Sequence, residues 1–283
     1  MAKDIKALRK RIKSFDSTLH LTGAMGLVAS SKMRKATDAM LEGRKYMSSI
    51  TGIMDELVKC ADCRRSVFFG KELPEGREPV TKLIVIAGDR GLCGGYNANV
   101  FRMVRDMEAA KIIPIGKRAF DRYTEDELDD YDPDYVRDYD SSEYYPYDKA
   151  LSLAGSLIEE FKEGKVDRIG IVYNKYVSIM TQEPQVMWIL PLTRPSVQDR
   201  EKGIFEPDPF TLLEDIVPLY FAGVLYALVK ESFACEVAAR RMAMDSATKN
   251  ATEMIEDLTL EYNRVRQGKI TQEITEIVAG AGK

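Results

Sequence analysis

Apolar side chains near the start of the chain recur at alternating spacings of three and four residues. A repeat of about 3.5 residues keeps one stripe of a helix against a partner helix while the two supercoil. With no proline before Pro74, the pattern predicts one helix over about residues 3–58, roughly 80 Å long at 1.5 Å per residue. The stripe consists of Ile5, Leu8, Ile12, Phe15, Leu19, Thr22, Gly26, Ala29, Met33, Ala36 and Met40.

The end of the chain carries a second stripe with the same spacing. Both stripes mix large side chains with alanines, which lets two helix backbones approach closely. The simplest pairing is an antiparallel coiled coil of the two chain ends. An ordinary helical bundle is the alternative, although the sequence offers no third or fourth long amphipathic helix to complete one. The second stripe consists of Phe233, Val237, Arg240, Met244, Ala247, Ala251, Met254, Leu258, Glu261 and Val265.

The middle of the chain predicts a different architecture, because short β-branched runs alternate there with helical patterns. The run at 82–87, for example, is apolar and ends at Gly88, which is typical of a buried strand. Strands that alternate with helices imply a small, mostly parallel sheet over residues 79–192. The predicted strands are 82–87, 112–115, 168–173 and 185–190, and the predicted helices are 99–107 and 152–162.

These elements define the predicted fold class: an α/β domain inserted between the two helices of a long antiparallel coiled coil. The N-terminal helix takes residues 1–60 and the C-terminal helix residues 210–283, with a proline-bearing linker over 193–209. Residues 120–150 form an excursion rich in acidic and tyrosine side chains. Its negative charge favours a solvated segment, and an acidic docking strip is the alternative.

Residues 270–283 continue the helical pattern but carry only a narrow apolar stripe. Ile270, Ile274 and Ile277, followed by Val278, share one face of a helix. The other side chains are polar and, at the end, small. Such a helix tip has too little apolar surface to fold onto its own chain, so the pattern predicts a socket in another protein.

Composition and charge narrow the possible functions. The chain has 45% hydrophobic and 30% charged residues, as ordinary globular proteins do. A net charge of −4 argues against general nucleic-acid binding, which needs a basic face. No apolar run approaches the roughly 20 residues that span a bilayer, and the charged start is unlike a secretory signal. We therefore expect a cytoplasmic chain that reaches a membrane only through partners.

Neither the cysteines nor the histidine indicates a metal or catalytic site. Cys60 and Cys63 form one CxxC pair, with no second pair to complete a zinc site. Two free thiols near the end of a helix are favoured over a redox dithiol. The single histidine, His20, lies beside the coiled-coil stripe, where packing or solvent exposure is more common than base catalysis. We expect no active site, no metal and no cofactor.

A glycine-rich loop follows the first predicted strand, where α/β sheets often bind phosphate through backbone N–H groups. Its glycines stand at positions 88, 91, 94 and 95. This spacing fits neither GxxxxGK[ST] nor GxGxxG, although Arg90 could hold a phosphate. A tight turn that docks against a neighbour is the favoured interpretation, and we expect no direct nucleotide binding.

Three blocks of residues together resemble the γ subunits of F-type ATP synthases. They are residues 31–35 (SKMRK), residues 89–97 (DRGLCGGYN) and a C-terminal run that begins with AARRMAM at 238–244 and ends with ITQEITEI at 270–277. A shorter fourth match is FEPDP at 205–209. The resemblance covers the whole chain in order, is loose only over 120–150, and is to the bacterial rather than the organellar form.

The resemblance implies a central rotor shaft that is not itself an enzyme. Such a subunit has an antiparallel coiled coil and a Rossmann-like domain at its base, and its tip stands in a sleeve of alternating α and β subunits. As the curved shaft turns, it presents a different face to each β subunit, which couples ion flow to nucleotide binding. The other implied partners are the ε subunit and the membrane c-ring, at the cytoplasmic face of the bacterial inner membrane.

The resemblance also assigns roles to residues of the C-terminal tip. Arg266 and Gln267 match the pair that hydrogen-bonds a β-subunit loop, as a charged fork can do. Thr271 and Glu273 match neighbouring positions implicated in coupling. The stripe of Ile270, Ile274 and Ile277 matches the part that is seated in the sleeve.

Five further residues are assigned in the same way. Met25 matches a site near the β-subunit lever arm. Phe205 and Glu206 match the foot that meets the c-ring, and Asp89 and Arg90 lie where the ε subunit packs.

The sequence departs from the family pattern at two glycines. The family usually has a lysine where Gly23 stands and a larger residue where Gly26 stands. Each glycine costs about 1 kcal/mol relative to alanine inside a helix. We expect this stretch to be torsionally soft, which weakens the assignment of Met25.

Two other functions stay open at the level of sequence. One is a nucleotide-dependent enzyme built on the α/β domain, with the helices as a dimerisation arm; it predicts micromolar binding of ATP or NAD, which the glycine spacing disfavours. The other is a coiled-coil scaffold unrelated to ATPases. A scaffold explains the heptad pattern but does not explain the uncovered C-terminal tip and its specific sequence block.

Overall fold

The computed structural model describes residues 5–70, 76–107, 111–123, 140–193 and 205–281. Two long helices lie at the ends of the chain, α1 (Ile5–Leu57) and α5 (Pro209–Ala281), and the second contains Pro218 in its interior. Two short 3-10 turns, Asp62–Arg65 and Val67–Phe69, follow α1. The remaining elements are β1 (Thr81–Ile86), α2 (Tyr96–Arg105), β2 (Lys111–Ile115), α3 (Lys117–Phe120), α4 (Tyr147–Glu163), β3 (Arg168–Tyr176) and β4 (Gln182–Leu190).

The chain forms two compact units whose boundaries fall inside the long helices. Unit 1 is Met1–Ser31 with Arg240–Lys283, and unit 2 is Lys32–Ala239. Residues 32–57 of α1 and residues 209–239 of α5 therefore belong to the same compact unit as the sheet.

In unit 1, the predicted stripes of α1 and α5 face each other. Thr248 Oγ1 donates a hydrogen bond of 2.8 Å to Thr22 Oγ1, and a Cβ on Gly26 would lie 3.6 Å from Met244 Cβ. Because the partner's number falls as the position along α1 rises, the helices are antiparallel. The predicted antiparallel coiled coil is thus confirmed.

The C-terminal stripe departs from the prediction at one position. Met254 is 48% exposed, whereas Ala251 and Leu258 are buried and the neighbouring Ile255 is partly buried. An α-helix has 3.6 residues per turn and drifts by about 20° per heptad against a strict 3.5-residue repeat. The contact line therefore shifts by one residue here.

Unit 2 is built on a four-stranded sheet with the order β2-β1-β3-β4. Strand β1 pairs in parallel with β2 and with β3, and β4 lies antiparallel to β3. Every residue of β1 is buried, as expected for a central parallel strand that is covered on both faces. The prediction of a small, mostly parallel sheet is confirmed.

The side chains of β1 alternate between two apolar cores. Ile84 and Ile86 enter a large core that includes residues of α4, α5 and the end of α1. Leu83 and Val85 enter a smaller core that includes residues of α2. Since successive side chains of a strand point to opposite faces, helices cover the sheet on both sides.

The expectation that no apolar run approaches the length of a membrane span is corrected by α5. This helix contains an 18-residue window with a mean hydropathy of 1.7, which is long and apolar enough to cross a membrane by length and composition. However, 56% of that window is buried inside the chain. Val217, Phe221 and Leu225 of α5 lie in the large core. The helix is apolar on several sides because the sheet and α1 both cover it.

Of the predicted acidic excursion, residues 120–123 and 140–150 are described and residues 124–139 lie outside the described residues. Ser142 and Tyr145 are buried, and α4 begins at Tyr147. Lys149 forms an ion pair with Asp140, so the charge is partly neutralised locally. Burial of a tyrosine ring and paired charges keep this stretch against the rest of unit 2.

Candidate functional site

The end of α5 is the first candidate site. The pairing in unit 1 places the start of α1 opposite the region of Val265, and every residue from 266 to 280 is exposed. Ile270, Ile274 and Ile277 are 47%, 56% and 70% exposed, and they lie in one stripe. A contiguous uncovered apolar stripe is typical of an interaction surface. Within the described residues, no other part of the chain covers this tip.

The polar residues predicted to act at the tip are exposed on the same helix. Arg266, Gln267, Thr271 and Glu273 all lie at the surface. Thr271 Oγ1 donates to the carbonyl of Gln267 at 2.9 Å, which occupies the hydroxyl proton but leaves the Gln267 side chain available. A row of such groups beside an apolar stripe can bind a polar loop of a partner.

The other predicted residues are distributed over both units. Met25 belongs to unit 1 and is partly buried. Phe205 belongs to unit 2, where it packs against the large core, and Glu206 beside it is exposed. Asp89 is partly buried and Arg90 is exposed, both in the glycine loop of unit 2.

Asp89 has a defined role inside the chain. Its carboxylate accepts hydrogen bonds from the backbone N–H groups of Lys117, Ser142 and Glu143 and from Ser141 Oγ, at 2.6 to 3.5 Å. A carboxylate that gathers four donors fixes the loop in front of α4 to the loop that follows β1. The first role of Asp89 is therefore intramolecular.

The glycine loop docks against α5. In an open α/β sheet, ligands bind at the carboxyl ends of the strands where the strand order reverses, here between β1 and β3. At that position a Cβ on Gly88 would lie only 2.7 Å from Glu236 Cδ. Tyr96 OH donates to the carbonyl of Ser232 at 3.0 Å, and Asn174 N donates to Ser232 Oγ at 3.4 Å. The chain's own helix thus takes the place in which other α/β sheets bind a phosphate.

Four residues of α5, which we call the α5 stripe, make these contacts: Glu231, Ser232, Cys235 and Glu236. All four are buried. Cys235 Sγ donates to the carbonyl of Asn174 at 3.2 Å, and Glu231 accepts the backbone N–H of Tyr176 at 2.9 Å. The stripe therefore fixes α5 to the carboxyl end of β3 through polar contacts.

Burial also sets the protonation states at this contact. Burial raises the pKa of the Tyr96 phenol well above its ordinary value, and the nearby Glu236 carboxylate raises it further. Burial likewise raises the pKa of the Cys235 thiol, with Glu231 as a second cause. Both groups therefore remain protonated donors at physiological pH.

The α5 stripe was missed in the sequence. Its residues stand at i, i+1, i+4 and i+5, which places them on one face of a helix. Polar residues at that spacing inside an otherwise apolar helix indicate a buried polar contact. The heptad pattern of Phe233 and Val237 on the opposite side of the helix concealed this signal.

The four cysteines, all among the described residues, are buried and form no disulfide. Burial raises the pKa of the Cys63 thiol to about 12, and the charge of Cys60 is the next cause. Thiols in this environment are poor nucleophiles. Among the described residues, no group of three or more His, Cys, Asp or Glu side chains is arranged to hold a metal ion.

Comparison with solved structures shows what class of protein has this fold. A chain of the Euglena gracilis mitochondrial ATP synthase, in its OSCP/F1/c-ring assembly, is similar with a TM-score of 0.65 and 18% identity over 98% of this chain and 93% of that one. A chain in the rotor of the enzyme from the same organism gives a TM-score of 0.60 and 19% identity, over 94% and 98% of the two chains. The fold is thus that of a chain found in rotary ATP synthases.

Sequence comparison is more specific. Residues 4–282 match the family described as ATP synthase. The ATP synthase gamma chain of Ruminococcus albus is 40% identical over 97% of this chain and 96% of its own length. The sodium ion specific ATP synthase gamma chain of Acetobacterium woodii is 37% identical over 99% of both chains. The chain belongs to the ATP synthase gamma chain family, and the prediction made from its sequence motifs is confirmed.

Proposed function

We propose that this chain is the rotating central shaft of a bacterial F-type ATP synthase. It transmits rotation of a membrane c-ring to the catalytic β subunits and has no catalytic site of its own. The complex holds it at the cytoplasmic face of the inner membrane. Its partners are the ring of α and β subunits, the ε subunit and the c-ring.

One observation carries this proposal: α5 continues beyond its pairing with α1 as a helix in which every residue from 266 to 280 is exposed. From residue 266 to residue 280 no side chain is covered by the described chain, yet the stretch carries an aliphatic stripe. Fifteen residues of helix extend about 22 Å, which is enough to enter a sleeve in a ring of subunits. An isolated helix of this length is only marginally stable in water, so a surrounding socket would supply the stabilisation that the chain itself does not.

The contacts of the glycine loop support a mechanical rather than an enzymatic role. Gly88, Tyr96 and Asn174 all contact α5 at the crevice where nucleotide-binding sheets hold phosphate. A nucleotide at this position would have to displace a buried helix. The α/β domain therefore serves as a base that is attached to the shaft.

The experiment is to assemble the chain with α and β subunits and to measure multi-site ATP hydrolysis. We expect a stable complex whose hydrolysis depends on this chain and is weakened by truncation after Gly268. If the full-length chain neither joins an α/β ring nor changes its hydrolysis, the proposal is wrong.

A pair of substitutions makes the same test without shortening the helix. Ile274→Asp with Ile277→Asp places charge on the exposed stripe, and we expect it to weaken the complex. The matched control is Gln272→Ala with Glu276→Ala. These two side chains bond each other at 2.9 Å on the opposite face of the helix, and their loss should have a smaller effect.

A further inference from the structure

A three-way junction connects the sheet of unit 2 to both long helices. It consists of residues 141–143, which lie in front of α4, together with Asp89, Lys32 and Glu236. Ser141, Ser142 and Glu143 all donate to the Asp89 carboxylate at the end of β1. The segment is thereby fixed to the carboxyl end of the central strand.

The first helix contact of this segment is an ion pair. Lys32 Nζ of α1 donates to Glu143 Oε1 at 2.5 Å, and the Glu143 side chain is only 18% exposed. The Lys32 side chain is 37% exposed, so this charge-assisted bond is shielded from water on the Glu143 side only and is intermediate between a buried pair and a surface pair. This bond therefore links α1 to the sheet through Glu143 and Asp89.

The second helix contact lies inside the structure. Ser142 Oγ donates to Glu236 Oε2 of α5 at 3.4 Å, and both residues are buried. Glu236 also packs on Gly88, where any side chain would collide with its carboxylate. The same three-residue segment thus contacts both long helices and the sheet.

The junction lies where the long helices leave unit 2. Lys32 is the first residue of unit 2 on α1, and Glu236 lies within one turn of Ala239, its last residue on α5. Directional polar bonds at these points resist rotation of a helix about its own axis, which nondirectional apolar contacts do less well. Apolar contacts also reach this level, where Met33, Ala36 and Met40 of α1 pack with Ala234, Val237 and Ala238 of α5, so the junction adds directional bonds to an apolar contact.

We propose that this junction is a joint through which torque passes between the α/β domain and the coiled coil. The inference rests on the proposed rotor function and assigns a positioning role to Asp89, Glu143, Lys32, Ser142 and Glu236. If the joint is weakened, the coiled coil can still rotate when nothing opposes it. When the catalytic sites resist rotation, the coiled coil turns less than the α/β domain does, and the catalytic sites receive only part of the rotation.

The test compares two activities of the same reconstituted holoenzyme: ATP hydrolysis without an ion gradient, and ATP synthesis driven by a limiting gradient. Glu143→Gln and Lys32→Met each remove the ion pair. We expect the rate of hydrolysis to stay close to that of the unmodified enzyme. We expect the rate of synthesis to fall about fivefold or more, which is the smallest factor that coupling between two sites typically gives. Lys32→Arg retains the pair and should restore synthesis.

A matched control separates torque transmission from simple stability. Lys82 and Glu160 form an ion pair at 2.6 Å between β1 and α4, and the Lys82 side chain is 9% exposed. Glu160→Gln breaks a comparable pair inside unit 2 without touching either long helix. It should leave the ratio of synthesis to hydrolysis unchanged.

The outcomes distinguish the two proposals. Equal losses of synthesis and hydrolysis in Glu143→Gln, or no loss of either, would overturn the joint while leaving the rotor function intact. Hydrolysis that does not depend on the unmodified chain at all would overturn the rotor function itself. If Glu143→Gln fails to assemble, Ser142→Ala is the second variant, because it removes the bond to Glu236 without a change of charge. A lower ratio of synthesis to hydrolysis in that variant supports the joint, and an unchanged ratio overturns it.

Discussion

Arg44 of α1 holds Glu231 of α5 in a two-point ion pair. The guanidinium Nε donates to Oε2 at 3.1 Å and a terminal nitrogen donates to Oε1 at 2.7 Å. The same guanidinium donates to the carbonyl of Tyr176 at 2.6 Å, so the pair joins both long helices to the end of β3. The hydrogen bond to Glu231 raises the pKa of Arg44 against the opposing effect of burial.

Arg44→Met should strongly destabilise the chain. Glu231 is buried, and the loss of one partner leaves an uncompensated charge in the interior. We expect the free energy of unfolding to fall by about 3–5 kcal/mol, measured by urea denaturation at neutral pH. The double variant Arg44→Met with Glu231→Gln should recover part of this loss, because no buried charge remains.

The comparison for Arg44 is a more exposed pair at the C-terminal end of the same helix, formed by Glu56 in its last turn and Lys59 just beyond it. Lys59 and Glu56 interact at 2.9 Å with side chains 34% and 51% exposed. Lys59→Met should change the free energy of unfolding by less than about 1 kcal/mol. Similar effects of the two substitutions would show that burial of Glu231 is not what makes its pair important.

The ion pair of Lys32 and Glu143 should contribute stability that depends on pH. Burial alone would raise the pKa of Glu143, but hydrogen bonds from Lys32 and Tyr144 and the charges of Lys32 and Arg90 outweigh it, and the pKa is lowered from 4.5. A lowered folded-state pKa gives stabilisation that is complete above the ordinary value and is lost as pH falls through the lowered value.

We therefore expect Glu143→Gln to destabilise the chain at neutral pH and to have little effect in acid. The measurement is the difference in free energy of unfolding between the parent chain and Glu143→Gln, from about pH 7 down to about pH 2, so that the series passes below the lowered pKa. A difference that grows as the pH falls would contradict the direction of the pKa shift.

The sequence predicted the helices and strands whose apolar residues follow a regular pattern. Strand β1 was predictable because consecutive apolar residues end at a glycine, and α1 because its stripe recurs at a helical period. The short helix α3 and the two 3-10 turns were not predicted, because four or fewer residues are too short to show a period.

The candidate sites were predictable only where a single element makes them. The tip carries its stripe within one helix, and its exposure could be predicted. The junction could not, because Asp89 and Ser141 are 52 positions apart and two of the Asp89 donors from that segment are backbone N–H groups, which no side-chain pattern records. Arg44 and Glu231, at 187 positions apart, are likewise joined only by the fold.

The thiols should be unreactive in the native chain. Cys60, Cys63, Cys93 and Cys235 are buried, and burial raises the pKa of Cys63 to about 12, so the reactive thiolate is scarce. We expect no rapid reaction with a disulfide reagent at about pH 8 and full reaction of all four after unfolding in urea.

The control for the thiols is a cysteine placed on the exposed tip. Gln272→Cys adds a thiol at a surface position and should react rapidly in the folded chain. Rapid reaction of Cys60 or Cys63 in the parent chain would instead support a redox role for that pair.

The glycines of α1 differ in how much space an added Cβ would have. At Gly23 an added Cβ would meet nothing within 4 Å, and a Cβ on Gly26 would meet Asp245 and Met244 at an ordinary 3.6 Å. Each alanine should therefore raise the free energy of unfolding by about 1 kcal/mol, since glycine is the poorer helix former. The melting temperature of the full chain, with both substitutions, measures this.

Gly43→Ala is the contrasting substitution on the same helix, and it should lower stability. A Cβ there would lie 3.3 Å from both Cα and Cβ of Ala227, so α1 and α5 would have to move apart. Such overpacking costs about 1–3 kcal/mol, which exceeds the gain in helix propensity. A lower melting temperature for the Gly23 and Gly26 double variant, or a higher one for Gly43→Ala, would contradict the prediction. It would show that the space available for a Cβ does not decide the effect of alanine at these positions.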